Sequence, residues 1–106
     1  MRFDEAQKIV DDWVKPTKVG YFPPMELLVQ MTEEVGEIAR EIKHLHGVKK
    51  KKTPDEGKES LTVELGDLLF AIICMANAHG ISLEEAITKT IDKYNMRDAN
   101  RWEKKE

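Results

Sequence analysis

The fold is decided by a stretch in the second half of the chain, Glu64-Leu65-Gly66-Asp67-Leu68-Leu69-Phe70-Ala71-Ile72-Ile73-Cys74-Met75-Ala76. The run from Leu68 to Ala76 is entirely apolar but too short to span a bilayer. A helix made of these residues is apolar on every side, so it needs other elements around it. Glu64 and Asp67 lie one turn apart on the same helix. The stretch therefore predicts a central helix that carries two carboxylates into apolar surroundings.

Proline, glycine and the spacing of apolar residues divide the remaining chain into further helices. Pro16 ends the first helical stripe and Gly47 ends the second. Thr53-Pro54-Asp55-Glu56 and Ser82-Leu83-Glu84-Glu85 have the pattern of capping boxes, which start helices. No stretch alternates with period two for long enough to predict a strand. The sequence predicts one all-α domain, residues 1–106, with four helices: 3–14, 25–46, about 59–78, and 83 towards 102.

Composition narrows the class of protein. The chain has 106 residues, with 17 basic and 20 acidic side chains and a net charge of −3. This balance argues against a general nucleic-acid-binding protein, which needs a strong basic excess. A single cysteine allows no intramolecular disulfide, and the N-terminus lacks an apolar signal core. A soluble cytoplasmic protein without membrane or nucleic-acid partners is expected.

The apolar helix also bears on assembly. Four helices from so short a chain cannot easily surround a helix that is apolar on all sides. We therefore expect a second copy of the chain to cover the remaining face, in a homodimer or a homotetramer. The alternative is a monomer in which this helix is fully buried.

Four carboxylates form two pairs on consecutive helices. Glu34 and Glu37 are three residues apart, as are Glu64 and Asp67, so each pair lies on one helix face. Carboxylates directed towards a core are unfavourable unless they are paired or bind a metal. Oxygen ligands without cysteine or converging histidine favour Mg²⁺ or Mn²⁺ over Zn²⁺. The alternative for Glu37 is a salt bridge to Arg40 on the same helix.

The two acidic motifs stand in a recognisable arrangement. Glu33-Glu34-x-x-Glu37 is followed by 26 residues and then by Glu64-x-x-Asp67. Phe22-Pro23-Pro24 leads into the first acidic helix, residues 40–44 continue it, and residues 93–102 form a basic terminal segment. This arrangement resembles the MazG-like nucleoside triphosphate pyrophosphohydrolases over most of the chain.

The resemblance implies an all-α fold in which two acidic helices face each other across a Mg²⁺ site. It implies hydrolysis of a nucleoside triphosphate to the monophosphate and pyrophosphate, by a dimer or tetramer. Either Glu33 or Glu34 would orient or deprotonate the attacking water. By the resemblance, Glu33 matches the additional acid of the family. The positions of the family's metal ligands are matched by Glu34, Glu37, Glu64 and Asp67.

Phosphates that no metal holds need positive partners. Lys93, Arg97 and Arg101 are spaced four apart, which predicts one face of the last helix, and Asn95 could add an amide contact. The alternative is that these cations favour a helix C-terminus. The run from Lys49 to Lys52 is either a solvated loop or a cover for the nucleotide.

Aromatic residues are candidates for stacking on the base. Trp13 and Phe22 are predicted to form a base pocket, and Tyr21 and Trp102 are further candidates. The alternative for each is an ordinary core position.

Two rival functions fit part of the pattern. A di-iron bundle expects two Glu-x-x-His motifs, whereas Glu41-x-x-His44 stands alone. A non-catalytic helical interaction module would use its acidic residues for structural salt bridges in an oligomer. It leaves the paired acids of the apolar helix unexplained.

Overall fold

An antiparallel pair of helices, α2 (Pro24–His46) and α3 (Pro54–Ala78), forms the centre of the fold in a computed structural model. The structure describes residues 1–98 and 101–105. Helix α1 (Phe3–Val14) packs against α3, and α4 (Leu83–Asp98) packs against α1. The predicted all-α class is confirmed, and the described residues contain no strand.

Two helix ends differ from the prediction by more than one residue. Helix α3 begins at Pro54, because the capping box at Thr53 is the actual start of the helix. The backbone N–H of Glu56 donates to Thr53 Oγ1 at 3.2 Å, and the N–H of Thr53 donates to Glu56 Oε1 at 3.2 Å. Helix α4 ends at Asp98, so Arg101 lies beyond the helix. The prediction that Arg101 shares one helix face with Lys93 and Arg97 is therefore wrong.

Gly57 sets how closely α2 and α3 approach near the loop that joins them. It is buried, and a Cβ atom at this position would lie 2.1 Å from Cδ2 of Leu45. No side chain larger than hydrogen fits this gap unless Leu45 moves. The pair of helices is therefore in close contact a few turns from the acidic motifs.

The buried core of a single chain is small and lies at one end of the pair of helices. It consists of Val10, Leu27, Ile73 and Cys74, with partly buried neighbours that include Tyr21. The Cα radius of gyration is 17.3 Å. A compact domain of this length has a radius of gyration of about 13 Å. The single chain is therefore extended, and α3 is not surrounded as its composition demands.

Apolar side chains of α2 and α3 remain exposed as a consequence. Leu28, Val35 and Ile42 are seven residues apart, so they form one stripe along α2, and each is about half exposed. On α3, Leu65 and Leu69 are exposed to a similar degree. We call these five residues the apolar stripe.

Helix α3 is, by length and composition alone, apolar enough to cross a membrane, with a mean hydropathy of 1.6 over 18 residues. The prediction that the apolar segment is too short to span a bilayer considered only the run from Leu68 to Ala76, whereas the whole helix is long enough. Helices at the centre of soluble bundles satisfy the same criterion. The carboxylates of Glu64 and Asp67 in the middle of α3 would be costly in a bilayer.

Candidate metal and nucleotide site

Three carboxylates from the two central helices converge on one point. Glu34 of α2 and Glu64 and Asp67 of α3 each offer an oxygen atom, and these oxygens all lie within 4.8 Å of one another. Glu34 and Glu64 are half-buried, whereas Asp67 is exposed. The pair of helices produces this arrangement, because residues three apart on α3 share the face that meets α2. We call these three residues the acid cluster.

The electrostatics of the acid cluster favour a bound cation. Partial burial raises the pKa of Glu64, and the charges of Asp67, Glu37 and Glu34 raise it further. None of the three cluster members has an ion-pair partner among residues 1–98 and 101–105. A hard divalent cation would compensate the repulsion, and oxygen ligands are those that Mg²⁺ and Mn²⁺ prefer. The residues present therefore fit such an ion.

The other two predicted acids lie at the edge of the cluster. Glu37 Oε2 is 3.6 Å from Arg40 Nη1, which is the salt bridge considered as its alternative. Its charge still acts on Glu64, so it lies on the cluster side of α2. Glu33 is exposed and, with Glu34, lines an open groove of about 450 Å³. Metal binding by Glu37 and water activation by Glu33 remain predictions.

Three of the four predicted aromatic residues line one cavity, whereas Trp102 is exposed and is not among the residues that line it. Trp13, Phe22 and Tyr21 face a space of about 320 Å³ that is also bounded by Phe70. The rings of Trp13 and Phe70 meet edge to face, with centroids 6.2 Å apart. Stacking surfaces of this kind accept a flat aromatic ligand. We call this space the aromatic cavity.

The groove connects the aromatic cavity with the acid cluster. Phe22 and Gln30 line both spaces, and the groove continues to Glu33 and Glu34. A molecule with a flat ring at one end and negative charge at the other could therefore lie along α2.

A hydrogen-bond network fixes the wall of the aromatic cavity. The hydroxyl of Tyr21 donates to Asp11, and Asn77 Nδ2 donates to the Tyr21 hydroxyl at 2.9 Å. Burial, followed by the hydrogen bond to Asp11, raises the pKa of Tyr21 to about 12. Gln7 completes the network through Asn77 and the backbone of Leu83. The Tyr21 ring is thus held in place by groups from α1, α3 and the start of α4.

The predicted phosphate-binding residues are not brought to the acid cluster within one chain. The Lys93 Nζ and Arg97 Cζ atoms each lie 5.1 Å from the centroid of the Tyr94 ring, and Asn95 is exposed. Arg97 and Arg101 form ion pairs with Asp98. These residues belong to α4 and the segment after it, and α4 contacts mainly α1.

Sequence reasoning missed one buried ion pair near the site. Glu41 is only 6% exposed, and its Oε2 accepts a hydrogen bond from Lys52 Nζ at 2.7 Å. Lys52 also donates to Ser60 Oγ at 2.9 Å. His44 Nδ1 is 4.0 Å from the same Glu41 oxygen. Glu41 and His44 therefore belong to a structural contact between the loop and the two central helices, and the loop is not free along its whole length.

Comparison with known proteins identifies the arrangement. Residues 22–102 match the MazG nucleotide pyrophosphohydrolase domain. The chain is 40% identical to the Bacillus-conserved MazG protein, a nucleotide pyrophosphohydrolase. The two structures align with a TM-score of 0.79 over 92% of this chain and 94% of that one.

Two further matches come from Bacillus subtilis. The crystal structure of YPJD aligns with a TM-score of 0.82 at 42% identity, over 90% of this chain and 96% of that one. The uncharacterised protein YpjD of strain 168 is 44% identical over 102 residues, which are 96% of this chain and 91% of that protein. The chain belongs to the MazG nucleotide pyrophosphohydrolases, hydrolases that act on phosphoric anhydrides.

Proposed function

We propose that the chain hydrolyses nucleoside triphosphates to nucleoside monophosphates and pyrophosphate in a Mg²⁺-dependent reaction. The observation that carries the proposal is the unpaired acid cluster at one end of a groove whose other end is the aromatic cavity. The base would lie in the cavity and the triphosphate along the groove. Mn²⁺ has the same ligand preference and is expected to substitute for Mg²⁺.

The residues divide the chemistry between them. Glu34, Glu64 and Asp67 would hold the ion, with Glu37 as a further ligand once it leaves Arg40. When bound, the ion supplies charge neutralisation at the phosphates and a lowered pKa for bound water. We assign the orientation of the attacking water to Glu33, because both Glu33 and Glu34 line the groove but Glu34 already belongs to the acid cluster that would hold the ion.

The products require that the bridge between the α- and β-phosphates breaks, and we propose that the water attacks on the α side. The water oxygen forms a bond to the α-phosphorus, and the bond from this phosphorus to the α,β-bridging oxygen breaks. Pyrophosphate leaves with the bonding electron pair, and Glu33 accepts a proton from the water. The role of the protein is mostly positioning and electrostatic stabilisation, as in other phosphoryl transfers.

A panel of canonical and modified triphosphates assayed with Mg²⁺ and Mn²⁺ tests the proposal. Pyrophosphate, and not orthophosphate, is the expected product. Release of orthophosphate from every nucleotide would place the cleavage at the bridge between the β- and γ-phosphates and contradict the proposed reaction.

The non-catalytic interaction module is not favoured. It places the salt bridges between copies of the chain, and it leaves unexplained why three carboxylates converge within 4.8 Å of one another inside a single copy. The proposed location is the cytoplasm, where nucleotides and Mg²⁺ are available and where the buried Cys74 stays reduced.

Assembly into a homodimer or homotetramer is part of the proposal. It is supported by the radius of gyration of 17.3 Å and by the apolar stripe, in which Leu69 is 51% exposed. A second copy would cover this stripe, and α4 of that copy could supply the cations that one chain keeps away from its own acid cluster. Sedimentation equilibrium is expected to give at least twice the mass of the 12.2 kDa chain. A monomer mass at micromolar concentration would contradict it.

Mg²⁺ is expected to raise the melting temperature, and the rise should shrink on acidification. An ion at a hundred times its Kd adds about 2.7 kcal/mol to the free energy of unfolding. The pKa of Glu64 in the native state is raised above its ordinary value of 4.5. At a pH between the ordinary pKa and the raised one, the native state therefore binds a proton that the unfolded state lacks. Without metal, this term makes the protein less stable as the pH rises through that interval.

Melting curves with and without Mg²⁺ and a non-hydrolysable nucleotide, recorded from pH 4.5 to 8, measure both effects. The Glu64→Gln variant is the control that isolates the proton on this residue. An Mg²⁺-induced rise that is the same at every pH, or that is undiminished in the variant, would contradict the assignment.

A further inference from the structure

The polar groups on the wall of the aromatic cavity are not equally free to bind a ligand. Thr17 Oγ1 donates to the Val14 carbonyl at 2.6 Å and accepts from the Gly20 N–H at 3.0 Å. The Tyr21 hydroxyl is occupied by Asp11 and Asn77. By contrast, the carboxamide of Gln30 has no hydrogen-bond partner among residues 1–98 and 101–105.

Gln30 lies where a bound nucleotide would pass. It is half-buried and lines both the aromatic cavity and the groove. On α2 it follows the buried Leu27 by three residues and precedes Glu34 by four, so these residues share one helix face. The rise between Gln30 and Glu34 is about 6 Å. Gln30 is thus one helical turn from the acid cluster and lines the space for the base.

We propose that Gln30 is a specificity-determining residue that recognises the Watson–Crick edge of the base by a two-point hydrogen bond. The inference rests on the proposed function. A carboxamide presents one donor and one acceptor side by side. Each canonical base presents a matching pair on that edge, such as N3–H and O4 of uracil or N1–H and O6 of guanine.

The expected selectivity follows from this geometry. Rotation of the carboxamide by 180° exchanges its donor and acceptor, so Gln30 accepts all four canonical bases. A base whose edge is blocked by a methyl group leaves the carboxamide unpaired in a partly buried site, which lowers affinity. Modifications elsewhere on the base, on the ring face or the opposite edge, do not meet Gln30. The ligand class is therefore nucleoside triphosphates with an intact Watson–Crick edge.

Two pairs of substrates test the inference: UTP with 3-methyl-UTP, and GTP with 1-methyl-GTP. The wild-type protein is expected to favour the unmodified member of each pair about tenfold in kcat/KM, mainly through KM. In Gln30→Met, which keeps the length of the side chain, the preference is expected to fall to about onefold. Gln30→Leu serves as a second apolar variant. Thr32→Val, exposed on the same helix, is the matched control and should keep the preference.

Other outcomes separate the inference from the proposed function. An unchanged preference in folded Gln30→Met overturns the inference while pyrophosphate release continues. A variant that instead loses discrimination between UTP and dUTP would place Gln30 at the sugar and also overturn it. Melting curves with the same nucleotides measure the preference from binding alone. The inference can therefore stand or fail even if the protein releases no pyrophosphate.

Discussion

Glu64→Gln and Asp67→Asn are each expected to lower kcat/KM for pyrophosphate release about a thousandfold. A metal ion that neutralises phosphate charge contributes several kcal/mol to transition-state stabilisation, and each 1.36 kcal/mol corresponds to a factor of ten. Both residues belong to the acid cluster, whose oxygens lie within 4.8 Å of one another. Either substitution removes a charged ligand oxygen while the shape of the side chain is kept.

A change in stability distinguishes this loss from unfolding. Burial and neighbouring carboxylates raise the pKa of Glu64, which means that its charged form is disfavoured in the native state. Metal-free Glu64→Gln is therefore expected to melt at a higher temperature than the wild type at neutral pH, and to respond less to Mg²⁺.

Glu59→Gln provides the matched control, because Glu59 is exposed on the same helix and carries the same charge. It should retain wild-type turnover and the Mg²⁺ response. If Glu64→Gln and Asp67→Asn both turned over at the wild-type rate, the acid cluster would not be the catalytic metal site.

Lys52→Met is expected to lower the free energy of unfolding by about 3 kcal/mol. The substitution leaves the buried carboxylate of Glu41 without its partner at 2.7 Å and removes a hydrogen bond to Ser60. Breaking a buried ion pair costs about 3–5 kcal/mol, and Lys52 lies at the lower end because its side chain is partly exposed. Urea unfolding at fixed protein concentration measures the change.

Lys51→Met is the internal control for this experiment. Lys51 is the neighbouring lysine and is exposed, so its substitution should change stability by no more than about 0.5 kcal/mol. The double variant Glu41→Met with Lys52→Met removes both charges and should recover much of the loss. Equal effects of Lys51→Met and Lys52→Met would show that the ion pair contributes nothing specific.

Much of the fold could be predicted because local signals agreed. Apolar spacing, Pro16 and Gly47 defined the helices. The capping box at Thr53 was recognised, but the helix was predicted to start about five residues after it, where the apolar pattern begins. That the acidic motifs meet was implied by the resemblance to the MazG-like family, and the placement of each pair on one helix face agrees with it. Three of the four predicted ligands converge, whereas the fourth, Glu37, lies beside Arg40.

The remainder depended on contacts between distant residues. Nothing local separates Lys52 from Lys51, and only the approach of the loop to α2 gives it a partner. Gln30 carried no sequence signal, because its importance arises from two spaces that it lines together with Phe22. The sequence did contain a signal that Glu41 is not an ordinary surface residue. It follows Glu37 by four residues and therefore lies on the same face of α2 as the acidic motif. The cations of α4 could not be placed near the acid cluster, because within one chain this helix contacts mainly α1.

The contact of Gly57 with Leu45 fixes the distance between α2 and α3 near the loop that joins them. A methyl group added at Gly57 would lie 2.1 Å from Cδ2 of Leu45 and would clash with it. Glu64 lies seven residues further along α3, or about 10 Å. The atoms in the way are the outer carbons of the Leu45 side chain, so this side chain moves first, and the spacing of the helices near Glu64 changes only as far as Leu45 cannot turn aside.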